Sequence, residues 1–248
     1  MFKRLVPLSS TDHSKHLWTS PRSCVHARGE LFVPIAQMET LALANEFPIV
    51  FGQTAAGYTL GILTGIANGQ SAAVSSSGLW RGHYVPVAVR SAPFAILHKD
   101  PQTLAIMIDE ESPLISKNTG NPIFEAESTI HKSLLPTIDL LFRWGRDRAL
   151  LAPVIEAIVA CGLLSRDLSL KLDDSSAITV RGVRMIDTEH VKRLSAKALV
   201  SLHTAAALEL VYMSAASAAS LPRLVQFSRE NAQQQSATHS LLGPEWFG

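Results

Sequence analysis

Apolar positions follow two different patterns along the chain. Through residues 30–109 they come in short dense runs, and from 128 to 219 they recur three and four apart. Dense runs of four to eight residues, partly β-branched and bounded by turn residues, predict buried strands. The three–four spacing predicts helices with one apolar face. ELFVPI (30–35), FPIVF (47–51), TLGILTGI (59–66) and QTLAIMID (102–109) therefore read as strands, and QSAAVSSSGLW (70–80) as a weaker one ending at Ser77-Gly78. Residues 38–45 read as one or two helical turns. In YVPVAVRSAPFAIL (84–97), Pro86 and Pro93 argue against a central strand or a long helix. This segment predicts a short helix begun near Pro86 and broken before Pro93, followed by the strand that holds Phe94.

The second half reads as helical. Ser128 or Thr129 can cap a helix whose apolar face is Ile130, Leu134, Leu135, Ile138, Leu141 and Phe142. Pro153 kinks it or starts a second helix, which stops at Gly162. Residues 168–172 and 178–186 predict a β-hairpin around Asp173-Asp174-Ser175-Ser176. A final helix over 196–219 carries Leu199, Leu202, Leu208, Val211 and Tyr212, with a run of small residues suited to close helix packing or to oligomerisation. Residues 1–30 are polar and irregular, and 227–248 read as a polar mobile tail whose Trp246-Phe247 can dock on a partner or on the body. The fold class is α+β. A mixed or antiparallel sheet in the N-terminal half packs with a helical hairpin, a small β-hairpin and a long C-terminal helix, in one domain over 31–226.

Composition narrows the function classes. Of 248 residues, 47% are apolar and 17% charged, so a core is well supplied. The formal charge of +1 offers no basic field for nucleic acid. No run of 18 or more uncharged apolar residues occurs, so no membrane span is expected. The N-terminus lacks the apolar stretch of a signal peptide, and Cys24 and Cys161 are too few for a disulfide framework. A cytoplasmic, reducing location follows as the expectation.

Four stretches raise chemistry. His13, His16, Cys24 and His26 are ligand types for zinc, but they lie on a loop-like segment, so a solvated leader with no metal is expected. Residues 52–59 (GQTAAGYT) follow a phosphate-loop spacing with Tyr58 in place of the lysine that contacts phosphate, and strand-like residues follow where a helix is needed. A hairpin loop is the expected structure. Asp109, Glu110 and Glu111 at a strand end can do acid/base work or simply close the strand in solvent. Arg143, Arg146 and Arg148 end a helix, where cations favour the dipole. No cofactor is called for.

The order FPIVF, a glycine-bearing strand, then Trp80, Tyr84, Pro86, Arg90, Pro93 and Phe94 resembles the bacterial SapC family, whose wording is close to W-x-x-x-Y-I-P-A-x-x-R-R-Y-P-F. Ser91 and Ala92 depart from it. Leu202-His203 and Tyr212 match a later pattern near L-H-x-x-G-x-L-x-x-I-Y-A-H, where Ala206 replaces the glycine and Ser214 the second histidine. The resemblance spans about 31–224. It implies an intracellular accessory that handles bacterial surface protein, with a protein partner or a second copy of itself.

Two functions are therefore expected. The first is a non-catalytic binding or assembly protein. The second is an enzyme on a peptide or small molecule, with Trp80, Tyr84, Arg90 and Phe94 lining a pocket and Asp109, Glu110 or His203 acting chemically. Arg90 is central to both, as a lone charge in an apolar run that must be paired if buried. Its expected partner is one of the acids at 109–111. His203 alone on an apolar helix is expected to be a satisfied core residue.

Overall fold

The computed structural model describes residues 1–66, 69–98, 103–125, 128–171 and 177–241. Two antiparallel sheets organise it. The larger has the order β12 (Val183–Arg184), β4 (Ile49–Thr54), β5 (Gly57–Leu63), β3 (Phe32–Pro34). The second has the order β1 (Leu5–Pro7), β7 (Leu104–Asp109), β6 (Phe94–His98). A small sheet sets β2 (Leu17–Trp18) between β8 (Ile115–Ser116) and β9 (Asn121–Pro122), and β10 (Leu168–Lys171) pairs with β11 (Ala177–Val180). Every strand pair is antiparallel. The fold is α+β, as the two hydrophobic periods imply.

The dense apolar runs are strands because both faces of the larger sheet are covered. Ile49, Phe51, Leu60 and Ile62 point into the main core, whereas Val50 and Leu63, one residue out of phase, join a second cluster with Leu170, Val183, Met185 and Leu224. Gly61 in TLGILTGI makes room for a ring: a Cβ there would lie 2.2 Å from Phe32 Cζ. The phosphate-loop spacing is a tight hairpin, with Thr54 opposite Gly57 and Gly57 at φ +121.

Short helices α1 (Ser10–His13), α2 (Thr40–Leu43), α3 (Val87–Arg90) and α6 (Thr188–Val191) join longer ones: α4 (Leu135–Ala149), α5 (Leu151–Ala160), α7 (Ala196–Thr204), α8 (Leu208–Ser217) and α9 (Leu221–Leu241). α4 packs on β6, α5 on β5 and α8 on β4. Gly162, at φ +66, ends α5 with the paired bonds Leu163 N–H to Ile158 O (3.2 Å) and Gly162 N–H to Val159 O (2.9 Å). α4 begins at Leu135, with Pro136 in its first turn. The expected cap at 128–129 is displaced, because Ser128 is at φ +63 and the chain there pairs Phe124 with Ile130.

Three expectations are corrected. Residues 1–30 are built in: β1 pairs with β7, Trp18 is buried and Ala27 is buried. A two- or three-residue strand has no period to read, so its long-range pairing was invisible. The segment expected as one terminal helix is α7, α8, a 3-10 turn at Ala218–Ser220 and α9. The break is at Ala206, φ +54, where Ala207 N–H reaches Leu202 O (2.8 Å) and Ala206 N–H reaches His203 O (3.0 Å). This is a helix stop that favours glycine, the residue the family wording has at that position. The tail expected from 227 is helical to Leu241, and Asn231 Nδ2 donates to Val74 O (3.1 Å). Trp246 and Phe247 lie outside the described residues.

The small-residue face of α8 is used within the chain. Ser214 Oγ donates to Ile49 O (2.9 Å), and Ser217 Oγ accepts from Ile49 N–H (2.8 Å). β12 pairs only with Phe51 and Gly52, so these serines satisfy the backbone of β4 where β12 stops.

Candidate functional site

Pro86 fixes the start of α3, whose residues Val87–Val89 are buried against the core while Arg90 emerges at its end. A cleft of ≈ 340 Å³ opens beside it, between residues 21–24 on one side and Leu79, Trp80, Gly82, Val85 and Arg90 on the other. Arg90 is exposed rather than buried. Its guanidinium stacks on the Tyr84 ring at 4.9 Å and donates to Tyr84 Oη at 3.0 Å. Trp80 forms the cleft floor, its ring 5.3 Å from that of buried Phe47. Phe94 does not join them: it is buried, set edge-on to Trp18 at 5.5 Å, and borders a separate pocket on the far side of α3.

The segment expected to be a solvated leader forms the other cleft wall. His26 Nε2 is 2.9 Å from Val89 O, which makes Nε2 the protonated nitrogen, and burial lowers its pKa against the effect of that carbonyl. Cys24 N–H donates to Gly78 O (2.7 Å), and Arg28 donates to Ser76 O (2.9 Å). Cys24 lines the cleft, and burial raises its thiol pKa while a hydrogen bond with the Trp80 backbone opposes the rise. A thiol held in its neutral form is a weak nucleophile. Among the described residues no group of three or more His, Cys, Asp or Glu side chains converges to hold a metal ion.

The acids expected beside Arg90 are committed elsewhere. Asp109, 3% exposed, accepts from Arg4 N–H (2.8 Å) and Lys3 N–H (3.1 Å) and so ties β1 to the end of β7. Glu110 receives the Arg4 guanidinium and lies 3.0 Å from His13 Nε2. Glu111 lies 3.7 Å from Arg4 Nε. The proposed Arg90 ion pair is thus replaced by a Tyr84 contact, because α3 ends at the surface. His203 is exposed on α7, not a core residue.

The residue missing from the sequence reading is Glu39. It is fully buried, and its carboxylate accepts from Ala36 N–H (2.9 Å), Val87 N–H (2.8 Å) and Trp144 Nε1–H (2.6 Å). The Glu39 charge also acts on Tyr84, whose hydroxyl is pushed up to about 12 first by burial and then by this carboxylate, with Arg90 acting in the opposite sense. Glu39 therefore fixes the start of α3 and acts electrostatically on the residue on which Arg90 rests. One signal was available: Glu39 lies four residues before Leu43, on the same buried face.

Behind Glu39, Arg148 of α4 turns inward and separates from Arg143, which pairs with Asp139 at 3.1 Å. Arg148 stacks on Trp144 at 4.8 Å and donates to Ile35 O (2.9 Å), Leu60 O (3.4 Å) and Thr59 Oγ1 (2.8 Å). A chain of contacts thus crosses the molecule beneath α3, from Arg90 through Tyr84, Glu39 and Trp144 to Arg148.

The family model described as SapC matches residues 8–224. This takes in most of the N-terminal segment that builds the cleft wall, as well as the tryptophan-to-phenylalanine motif. Neither the curated proteins nor the solved structures gave a match.

Proposed function

This chain belongs to the SapC family, and from that premise we propose that it is a non-catalytic binding protein whose cleft takes a carboxylate-bearing segment of a partner protein. The observation that carries the reading is Arg90: an exposed guanidinium at the cleft edge, already oriented by the Tyr84 ring and hydroxyl. Among the described residues it pairs with no carboxylate. A guanidinium whose rotamer is held before the ligand arrives loses less entropy on binding and suits a planar carboxylate. Exposed Arg22 on the opposite wall adds charge of the same sign. Asp109 and Glu110 are engaged in holding the N-terminal strand, and Cys24 is kept as a thiol, which supports binding over catalysis. The family resemblance points to bacterial surface protein as the partner class. Two free cysteines fit a reducing, cytoplasmic setting.

The test is selection from a random decapeptide library on wild type and Arg90→Ala, with each protein's fold checked by circular dichroism. Wild type is expected to enrich peptides with Asp, Glu or a free C-terminal carboxylate, and Arg90→Ala to lose that enrichment while remaining folded. The same enrichment on both proteins, or cleavage of the selected peptides, overturns the reading.

A further inference from the structure

The larger pocket lies on the other side of α3, with a volume of ≈ 490 Å³. That is within the range of small-molecule sites. Its wall is apolar, from Leu5, Ala88, Phe94, Ile96, Leu141 and Trp144. At one end stands Arg148, fixed by Ile35 O, Leu60 O and Thr59 Oγ1 and lying over the Trp144 ring. All these partners are neutral. Among the described residues no carboxylate lies within ion-pair distance of Arg148, and the nearby Glu39 already accepts from Ala36, Val87 and Trp144. The other charged side chain of the wall, Glu30, enters from the far end of the β3 segment, where it is paired with the amino group of Met1.

We propose that this pocket is a binding site for an apolar monocarboxylate, whose head pairs with the Arg148 guanidinium and whose hydrocarbon or aromatic body lies against Phe94, Ile96 and Leu141. A half-buried cation with only neutral acceptors is a strong recognition element for such a wall, because an anion there is drawn by both charge and hydrogen bonding where solvent is partly excluded. The apolar wall gains from covering the ligand body in proportion to the area removed from water. The pocket is separate from the cleft, so decanoate binding here and peptide selection at Arg90 succeed or fail independently.

The test is isothermal titration of the full chain with sodium decanoate, decan-1-ol and sodium acetate, alongside the melting temperature with each. Decanoate is expected to bind saturably at one site and raise the melting temperature. Decanol, with the same body and no charge, should bind roughly tenfold or more weakly, the loss of one charge-assisted hydrogen bond. Acetate should show no measurable binding. Arg148→Met should bring decanoate down to the affinity of decanol. A second variant, Ala95→Phe, fills the pocket from a half-buried wall position without touching Arg148, and should abolish decanoate binding. Absence of saturable decanoate binding to wild type, equal affinity for decanoate and decanol, or full binding by folded Ala95→Phe each overturns the proposal.

Discussion

Arg90 and Arg148 sit on opposite sides of α3 and are built on one plan. Each stacks on an aromatic ring, at 4.9 Å on Tyr84 and 4.8 Å on Trp144, and Glu39 acts on both, accepting from Trp144 Nε1–H and raising the Tyr84 hydroxyl by its charge. The difference is solvent. Arg90 is exposed and keeps its charge available at a cleft edge. Arg148 is enclosed enough that burial lowers its pKa, with the Glu39 charge opposing the shift, and it is braced by Ile35 O, Leu60 O and Thr59 Oγ1 at the end of its pocket. A guanidinium on a ring thus stands once free in solvent at a cleft edge and once braced by the frame beside an apolar pocket. Burial, not residue type, separates the two roles.

The contrast breaks most severely at the group both sides share. Glu39→Ala leaves the N–H groups of Ala36, Val87 and Trp144 buried without an acceptor. The expected loss of stability is about 3–5 kcal/mol, since each orphaned buried donor costs roughly 1–3 kcal/mol and the region relaxes only in part. Urea denaturation measures it, and a loss below about 1 kcal/mol would mean that the carboxylate is not the keystone described here.

The two arginines should then separate in the same assay. Arg148→Met removes the donors that hold Ile35 O and Thr59 and should cost roughly 1–3 kcal/mol. Arg90→Ala, at an exposed position, should stay within about 0.5 kcal/mol of wild type. Equal losses would erase the distinction between a braced and a free guanidinium. A larger loss for Arg90→Ala would restore the buried-pair role that its place in an apolar run suggests.

That inversion shows where the sequence was legible. The strands at 47–51 and 59–63 were readable because both faces of their sheet are buried, whereas 70–80, also expected as a strand, forms only the isolated bridge Val74–Trp80; the outline of α3 was readable because Pro86 and Pro93 bound it. Arg90 was read as a buried charge and is exposed: its neighbours Val87 and Val89 face the core, and a four-residue helix has room for its last side chain to leave it. Arg148 was read with Arg143 and Arg146 as a solvated helix end, yet its position on α4, four residues from Trp144, carries it inward. The sequence hid the cleft wall because residues 21–28, beyond one short 3-10 turn, are held by distant partners such as Gly78, Ser76 and Val89. Asp109 was correctly seen at a strand end, but its backbone partners, Lys3 and Arg4, are more than a hundred residues away.

The smallest effect is also the most selective, because it reads the link between the two sides without substituting either arginine. Tyr84 titrates near about 12 in the fold, above its ordinary value of 10. The folded protein therefore holds this proton more tightly than the unfolded chain does. The resulting stabilisation is fully present below pH 10 and is lost as pH rises from about 10 to about 12. Tyr84 is partly exposed, so solvent screens the effect and only a shallow decline is expected. Tyr84→Phe should remove that decline when urea midpoints are compared at pH 9 and pH 11. It should also remove the phase near 12 from the ultraviolet phenolate titration. Glu39→Gln, which keeps the shape but not the charge, should move that late phase toward 10. If the phase stays near 12 in Glu39→Gln, burial alone raises the Tyr84 hydroxyl, and the charge of Glu39 does not reach the ring beneath Arg90.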